Sequence, residues 1–166
     1  MPLIEQYRQE MKETVEKIVQ KVSPLTEDVI RWKPSADEWS IMEILCHVEE
    51  VIGYWTRELV RVIQAGGGEW GRGLNDEARL AAVRQADARA VSEVIRGIEQ
   101  AAMFADEQLA ALSDEQLALE APHRNPKFGV KPMTFLVEHF LTEHLAGHLR
   151  QIERNLRKHE AVQSKQ

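Results

Sequence analysis

One cysteine, Cys46, stands in 166 residues, so no intramolecular disulfide can form and nothing argues for an oxidising compartment. No apolar run approaches the roughly 20 residues needed to span a bilayer, because charges interrupt every hydrophobic stretch. No signal-like apolar segment follows Met1, so the expectation is a cytoplasmic protein that meets no membrane. Basic residues are in deficit: 21 Lys and Arg against 27 Asp and Glu give a formal net charge of -6, with a pI near 5.6. That balance offers no basic footprint to phosphate backbones and excludes nucleic acid as an expected partner. The apolar/polar alternation of strands is also missing.

What is present is a globular composition, 43% hydrophobic and 29% charged. The length suits one domain, residues 1–166, able to bury a core without metal or disulfide staples. Apolar residues recur at helical steps of three and four. Ile4, Tyr7, Met11, Val15, Ile18 and Val22 make one stripe, and Pro24 ends it because proline cannot donate to a continuing helix. A second helix starts at Ser40, with Glu43 in the capping-box position. Its stripe is Ile41, Ile44, Leu45, Val48, Ile52, Trp55, Leu59 and Val62. The run AGGGEWGRG, with five glycines between Ala65 and Gly73, cannot hold a helix. A third helix begins at or soon after Asn75 and gathers Val83, Val91, Val94, Ile98, Ala101, Ala105, Leu109 and Leu112. The segment EAPHRNPKFGVKP reads as loop, and a fourth helix opens with Pro132 near its first position and runs to about Lys158.

Four amphipathic helices without strands predict an all-α four-helix bundle. Between the second and third helices lie about ten to fifteen residues, where an antiparallel turn needs about two to eight. At roughly 3.3 Å per residue such a connection can run the length of a bundle, which favours a crossover topology over a simple up-down-up-down one.

The last helix contains HFLTEHLAGHLRQIERN, starting at His139. At about 100° per residue, Met133, Leu136, Val137, Phe140, Leu141 and Ile152 define a buried arc that includes His144 and His148. Thr142, Glu143, Ala146, Arg150, Glu153 and Arg157 fall on the other side, and His139 falls with the charged residues, as a solvated side chain. Two imidazoles on an apolar face need partners for their ring nitrogens, since an unpaired buried polar group costs about 1–3 kcal/mol. A metal is one solution; hydrogen bonds to backbone or carboxylate are the blander one. The zincin pattern is absent, because Leu145 follows His144 where H-E-x-x-H needs glutamate. His47 lies at the border of the apolar arc of the second helix and can complete a set of three nitrogen ligands from two helices. Cys46 points about 100° away from it and reads as packing. His123 reads as an exposed loop histidine. Trp32, Trp39 and Trp55 read as core or staple residues, although indole at a bundle mouth would suit an apolar electrophile.

The segment WKPSADEWSIMEILCHVEE, with its tryptophan-serine helix start and a histidine seven residues after the serine, resembles the second helix of the DinB-like superfamily. EHLAGHLRQIERN is similar to that family's last helix, where H-x-x-x-H is followed by glutamine and isoleucine. The resemblance spans nearly the whole chain. It implies an up-down-down-up bundle holding a divalent metal, nickel or zinc, on His47, His144 and His148, and a homodimer would fit the family. It also implies an enzyme that transfers a low-molecular-weight thiol of the bacillithiol type to an electrophilic substrate. The alternatives are a metal-dependent hydrolase or a non-catalytic metal-binding protein, which a fourth ligand from Glu43 or Glu50 would favour. Three neutral imidazoles leave a bound ion its full charge, enough to acidify water or hold a thiol as thiolate. Glu43 and Tyr54, on the His47 side of the second helix, and Gln151, one turn beyond His148, are candidates to orient an imidazole or face a substrate.

Overall fold

The predicted stripe from Ile4 to Val22 is the buried face of α1 (Leu3–Val22) in the computed structural model of the protein, which describes residues 1–165. The helix stops at Ser23, as Pro24 requires. A short helix that periodicity is too brief to reveal, α2 (Glu27–Arg31), follows it. The second long helix, α3 (Ile41–Ala65), starts on a complete capping box: the Ser40 hydroxyl accepts from Glu43 N at 3.1 Å and the Glu43 carboxylate accepts from Ser40 N at 2.9 Å. Every residue of its predicted stripe is buried. It ends at Gly66, whose φ of 74° is the left-handed conformation of a helix stop.

The third predicted helix is in fact two. α4 (Glu77–Arg84) is capped by the Asp76 carboxylate, and α5 (Val91–Ala110) begins after a tight turn at 86–88. Val83 therefore belongs to a separate short helix. The break is held from outside: the Arg31 guanidinium donates to Ala86 O at 3.0 Å and to Arg89 O at 2.7 Å, satisfying carbonyls that a continuous helix would have used itself. The predicted loop before the last helix also contains structure, a small antiparallel hairpin of β1 (Glu120–Pro122) and β2 (Val130–Pro132). Trp70, fully buried, ties the glycine-rich run to this hairpin by donating from Nε1 to Ala121 O at 2.9 Å.

The last helix departs most from a regular α pattern. α6 (Met133–Val137) passes through one π turn, 138–142, into α7 (Glu143–Gln163). A π turn inserts one extra residue and rotates everything after it by roughly 100°. Leu145 and Ile152 consequently take the centre of the core, and His144 and His148 move to its edge, half-buried. Thr142, expected away from the core, is buried, with its hydroxyl donating to Glu138 O at 3.1 Å. From α1, Tyr7 fixes the start of the π turn by donating to the Glu138 carboxylate.

α1 packs on α5 and on the last helix, and α3 packs on the same two. Arg8 of α1 pairs with Asp106 near the end of α5, whereas Glu49 early in α3 pairs with Arg89 at the start of α5. Lys21 of α1 meets Glu153, and the Trp55 ring of α3 stacks on Phe140 while His47 faces His148. Hence α3 and α5 run alike, against α1 and the last helix, and the connection between them returns along the bundle. Among the described residues no helix is long and apolar enough to cross a membrane.

Candidate metal centre

His47 comes from a part of α3 buried on all sides, between Cys46 and Val48, and is itself only 1% exposed. The Trp39 ring lies 5.0 Å from its ring, and buried Asn155 holds Trp39 in place by donating to its carbonyl at 2.8 Å. His144 and His148 project from the first turns of α7, one turn apart. Ring centroids are 5.5 Å apart for His47 and His144, 4.7 Å for His47 and His148, and 4.5 Å for His144 and His148. One nitrogen from each ring lies within 4.8 Å of the others, the spacing of a group able to hold a metal ion.

The hydrogen bonds orient these rings. Nδ1 of His144 donates to Phe140 O at 3.3 Å, and Nδ1 of His148 donates to the Gln151 side-chain oxygen at 2.9 Å. This leaves Nε2 of His148, like Nδ1 of His47, buried with no hydrogen-bond partner. Two buried ring nitrogens without partners would each cost about 1–3 kcal/mol. Burial first, and the neighbouring imidazoles second, lower the His47 pKa to about 2. Burial likewise lowers His144 to about 4 and pushes His148 downward. All three are therefore neutral at physiological pH, the form in which imidazole binds metal. The donor set fits a divalent ion.

The other candidates separate clearly. Glu43 is taken up by the cap of α3 and by Lys33 at 3.7 Å. Glu50 pairs with the Arg72 guanidinium, and Tyr54 donates to Glu58 at 3.2 Å beneath Arg72, whose charge sits 3.7 Å above its ring. Gln151 holds a ring nitrogen of His148. Among the described residues, no carboxylate joins the three histidines. Cys46 is fully buried, and burial pushes its thiol up to about 11, as packing requires. His139 is exposed and stacks on Phe135.

His123 corrects the expectation of an exposed loop residue. It is buried among Trp70, Phe128 and Phe140, with Nδ1 accepting from Asn125 N at 2.8 Å. Gly71 makes the room: at φ 95° it has no Cβ, and one added there would lie 2.4 Å from His123 Nε2. Of the tryptophans, Trp39 abuts His47, Trp55 lines the cleft and Trp32 packs edge-on to His159.

A cleft of about 670 Å³ opens beside His144 and His148. Trp55, Phe128 and Phe140 supply its apolar wall, and Arg72, Arg79, Arg150 and Arg154 bring positive charge against the single acid Glu143. The arginines went unread in the sequence because three of them lie on helix faces that pattern alone makes ordinary solvent-facing surface.

The family model described as the DinB superfamily matches residues 8–152. Among solved structures, the chain is similar to YfiT from Bacillus subtilis, described as a probable metal-dependent hydrolase with an unusual four-helix bundle topology. The TM-score is 0.72 at 13% identity, over 92% of this chain and 87% of that one. It is also similar to TT2238, described as a four-helix bundle protein, with a TM-score of 0.66 at 15% identity, over 91% of this chain and 98% of that one. No curated protein sequence matches.

Proposed function

Because the chain belongs to the DinB superfamily, we propose that it is a divalent-metal-dependent enzyme that transfers a low-molecular-weight thiol to an electrophilic substrate. The observation that carries this reading is a cluster of three neutral imidazoles, two of which, His144 and His148, line a cleft, with no carboxylate in the cluster. His47, His144 and His148 would hold the ion, for which nickel or zinc suits an all-imidazole set. When bound, a divalent ion with open positions supplies a Lewis acid that acidifies water or a thiol.

The chain's own groups support the thiol over water as nucleophile. A hydrolase gains from a carboxylate or histidine placed to accept a proton. Here Glu43 is committed to a helix cap and Glu50 to Arg72, while Glu143, on the cleft wall, is solvent-facing and lies 3.7 Å from His139. A thiol needs no such base, since its proton leaves more readily. Cys46 does not supply it, being sealed in the core, so the thiol comes from solution. Trp55, Phe128 and Phe140 give an apolar electrophile a wall to lie against. The description of YfiT as a probable hydrolase favours hydrolysis as the second reading.

The two are separated by assaying zinc- or nickel-loaded, chelated and His148→Ala protein with bacillithiol, cysteine and glutathione against a generic electrophile, and with an ester lacking thiol, over pH 6 to 9. The expected result is metal-dependent conjugation, lost in His148→Ala, with its largest advantage below the roughly 8.5 pKa of a free thiol. Ester turnover without thiol, together with no conjugation by any of the three, would assign hydrolysis instead.

A further inference from the structure

The cleft holds a cation that has no ion-pair partner among the described residues. Arg72 is fully engaged, paired with Glu50 and with Asp76 at 3.3 Å, and its side chain is only 5% exposed. Arg79 lines the same cleft from α4, half-buried, and its guanidinium donates through Nη1 to Leu74 O at 3.0 Å. Of the two acids just before it in the chain, Glu77 pairs with Arg84, and Asp76 is occupied by Arg72 and by the backbone N–H of Arg79. Among the described residues no carboxylate lies within ion-pairing distance of the Arg79 guanidinium. Its group sits 5.9 Å from the Trp39 ring, which abuts His47. Its charge bears on all three imidazoles.

This arrangement is electrostatically expensive as it stands. Burial, and then the neighbouring Arg72 charge, make the Arg79 cation less favourable than a free one, and the Glu50 and Asp76 carboxylates, beyond ion-pairing distance, offset this only in part. Three neutral imidazoles offer no compensating charge, and a divalent ion among them would add two positive charges nearby. Arg150 and Arg154 on the rim add more. In a chain of net charge -6, cations gathered at one cleft call for an anion from outside. Because one edge of the guanidinium is held by Leu74, the planar fork left to Arg79 suits a carboxylate, which takes two parallel N–H donors.

We propose that Arg79 binds a carboxylate of the substrate, and that the molecule taken up beside the three histidines is therefore a small carboxylate-bearing anion, drawn in by Arg150 and Arg154 at the rim. This rests on the proposed function only in taking the cleft as the substrate site.

The test needs neither metal nor turnover: calorimetric titration of the metal-free, full-length protein at low ionic strength with succinate and with its dimethyl ester. Succinate is expected to bind at least about tenfold more tightly than the ester. Charge-assisted hydrogen bonds are among the stronger polar contacts, so Arg79→Gln is expected to weaken succinate about tenfold or more while leaving the ester unchanged. Arg79→Lys, which keeps the charge but not the fork, should lose less, and Arg96→Gln, on an exposed face of α5, should lose nothing. Circular dichroism reports whether each variant keeps its helices. Equal succinate affinity in the unaltered, Arg79→Lys and Arg79→Gln proteins, or an ester that binds as well as succinate, would overturn the proposal. If succinate binds as described but no thiol is conjugated, the transfer reading fails and this one stands. Conjugation with no preference for the anion gives the reverse.

Discussion

His47→Ala is expected to leave a folded protein that no longer retains a divalent metal. The fold survives because the core is made by the apolar stripes of four long helices, and a single buried imidazole beside Trp39 adds little to it. The metal is lost because only the H-x-x-x-H pair of α7 remains. Deleting a partner that merely orients a histidine ligand already costs roughly 10–100-fold in affinity. That is the loss expected for Gln151→Ala, which removes the acceptor held by His148 Nδ1. Removing an imidazole itself should exceed that range. His139→Ala should change nothing, since His139 is exposed and outside the cluster. Metal content by mass spectrometry after dialysis against a competing chelator checks all three variants. Equal retention in His47→Ala and His139→Ala would remove the assignment of these residues as ligands.

The second large effect is a loss of stability in acid, read most simply in the metal-free protein. Burial holds the folded pKa of His47 at about 2 and of His144 at about 4, and lowers His148 and His123 as well. In the unfolded chain each returns to about 6.5. The unfolded state therefore binds more protons below that pH, so stability is complete above pH 6.5 and falls as pH drops towards the folded values. The slope is about 1.4 kcal/mol per pH unit for each imidazole that stays neutral in the fold. Between pH 6.5 and 5 unfolded carboxylates are still mostly ionised, so the histidines dominate this window. Denaturant titrations across it, in chelator, should show a loss of several kcal/mol, with a shallower slope in His47→Ala. A flat profile from pH 7 to 5 would mean that the imidazoles are not held in dry surroundings. Metal in excess should raise stability above pH 6.5, by about 2.7 kcal/mol at a hundredfold excess over Kd.

The long helices were legible because each buries one face, and a buried face writes a three-and-four repeat into the chain. The capping box at Ser40 and Glu43 was legible because both partners lie within one turn. His47, His144 and His148 could be singled out for the same local reason, their position relative to those stripes. What escaped were features fixed by distant residues. The π turn is held by Tyr7, 131 residues from Glu138, and it rotated the histidine pair from the core's centre to its edge. The break between α4 and α5 is held by Arg31, 55 residues from Ala86. His123 looked like loop because its companions Trp70, Phe128 and Phe140 come from three segments that only the fold assembles. Arg79 could not be separated from surface arginines, because what distinguishes it is a place in the cleft without an ion-pair partner among the described residues.

X-ray absorption spectroscopy of protein loaded with one equivalent of zinc or nickel tests the metal centre most directly. The coordination shell should contain three imidazole nitrogens and at least one light atom that exchanges with added thiol, seen as a sulfur at about 2.3 Å if zinc is the ion. A shell completed by a protein carboxylate and indifferent to thiol, or one unchanged in His47→Ala, would contradict a three-histidine centre with a position open to substrate.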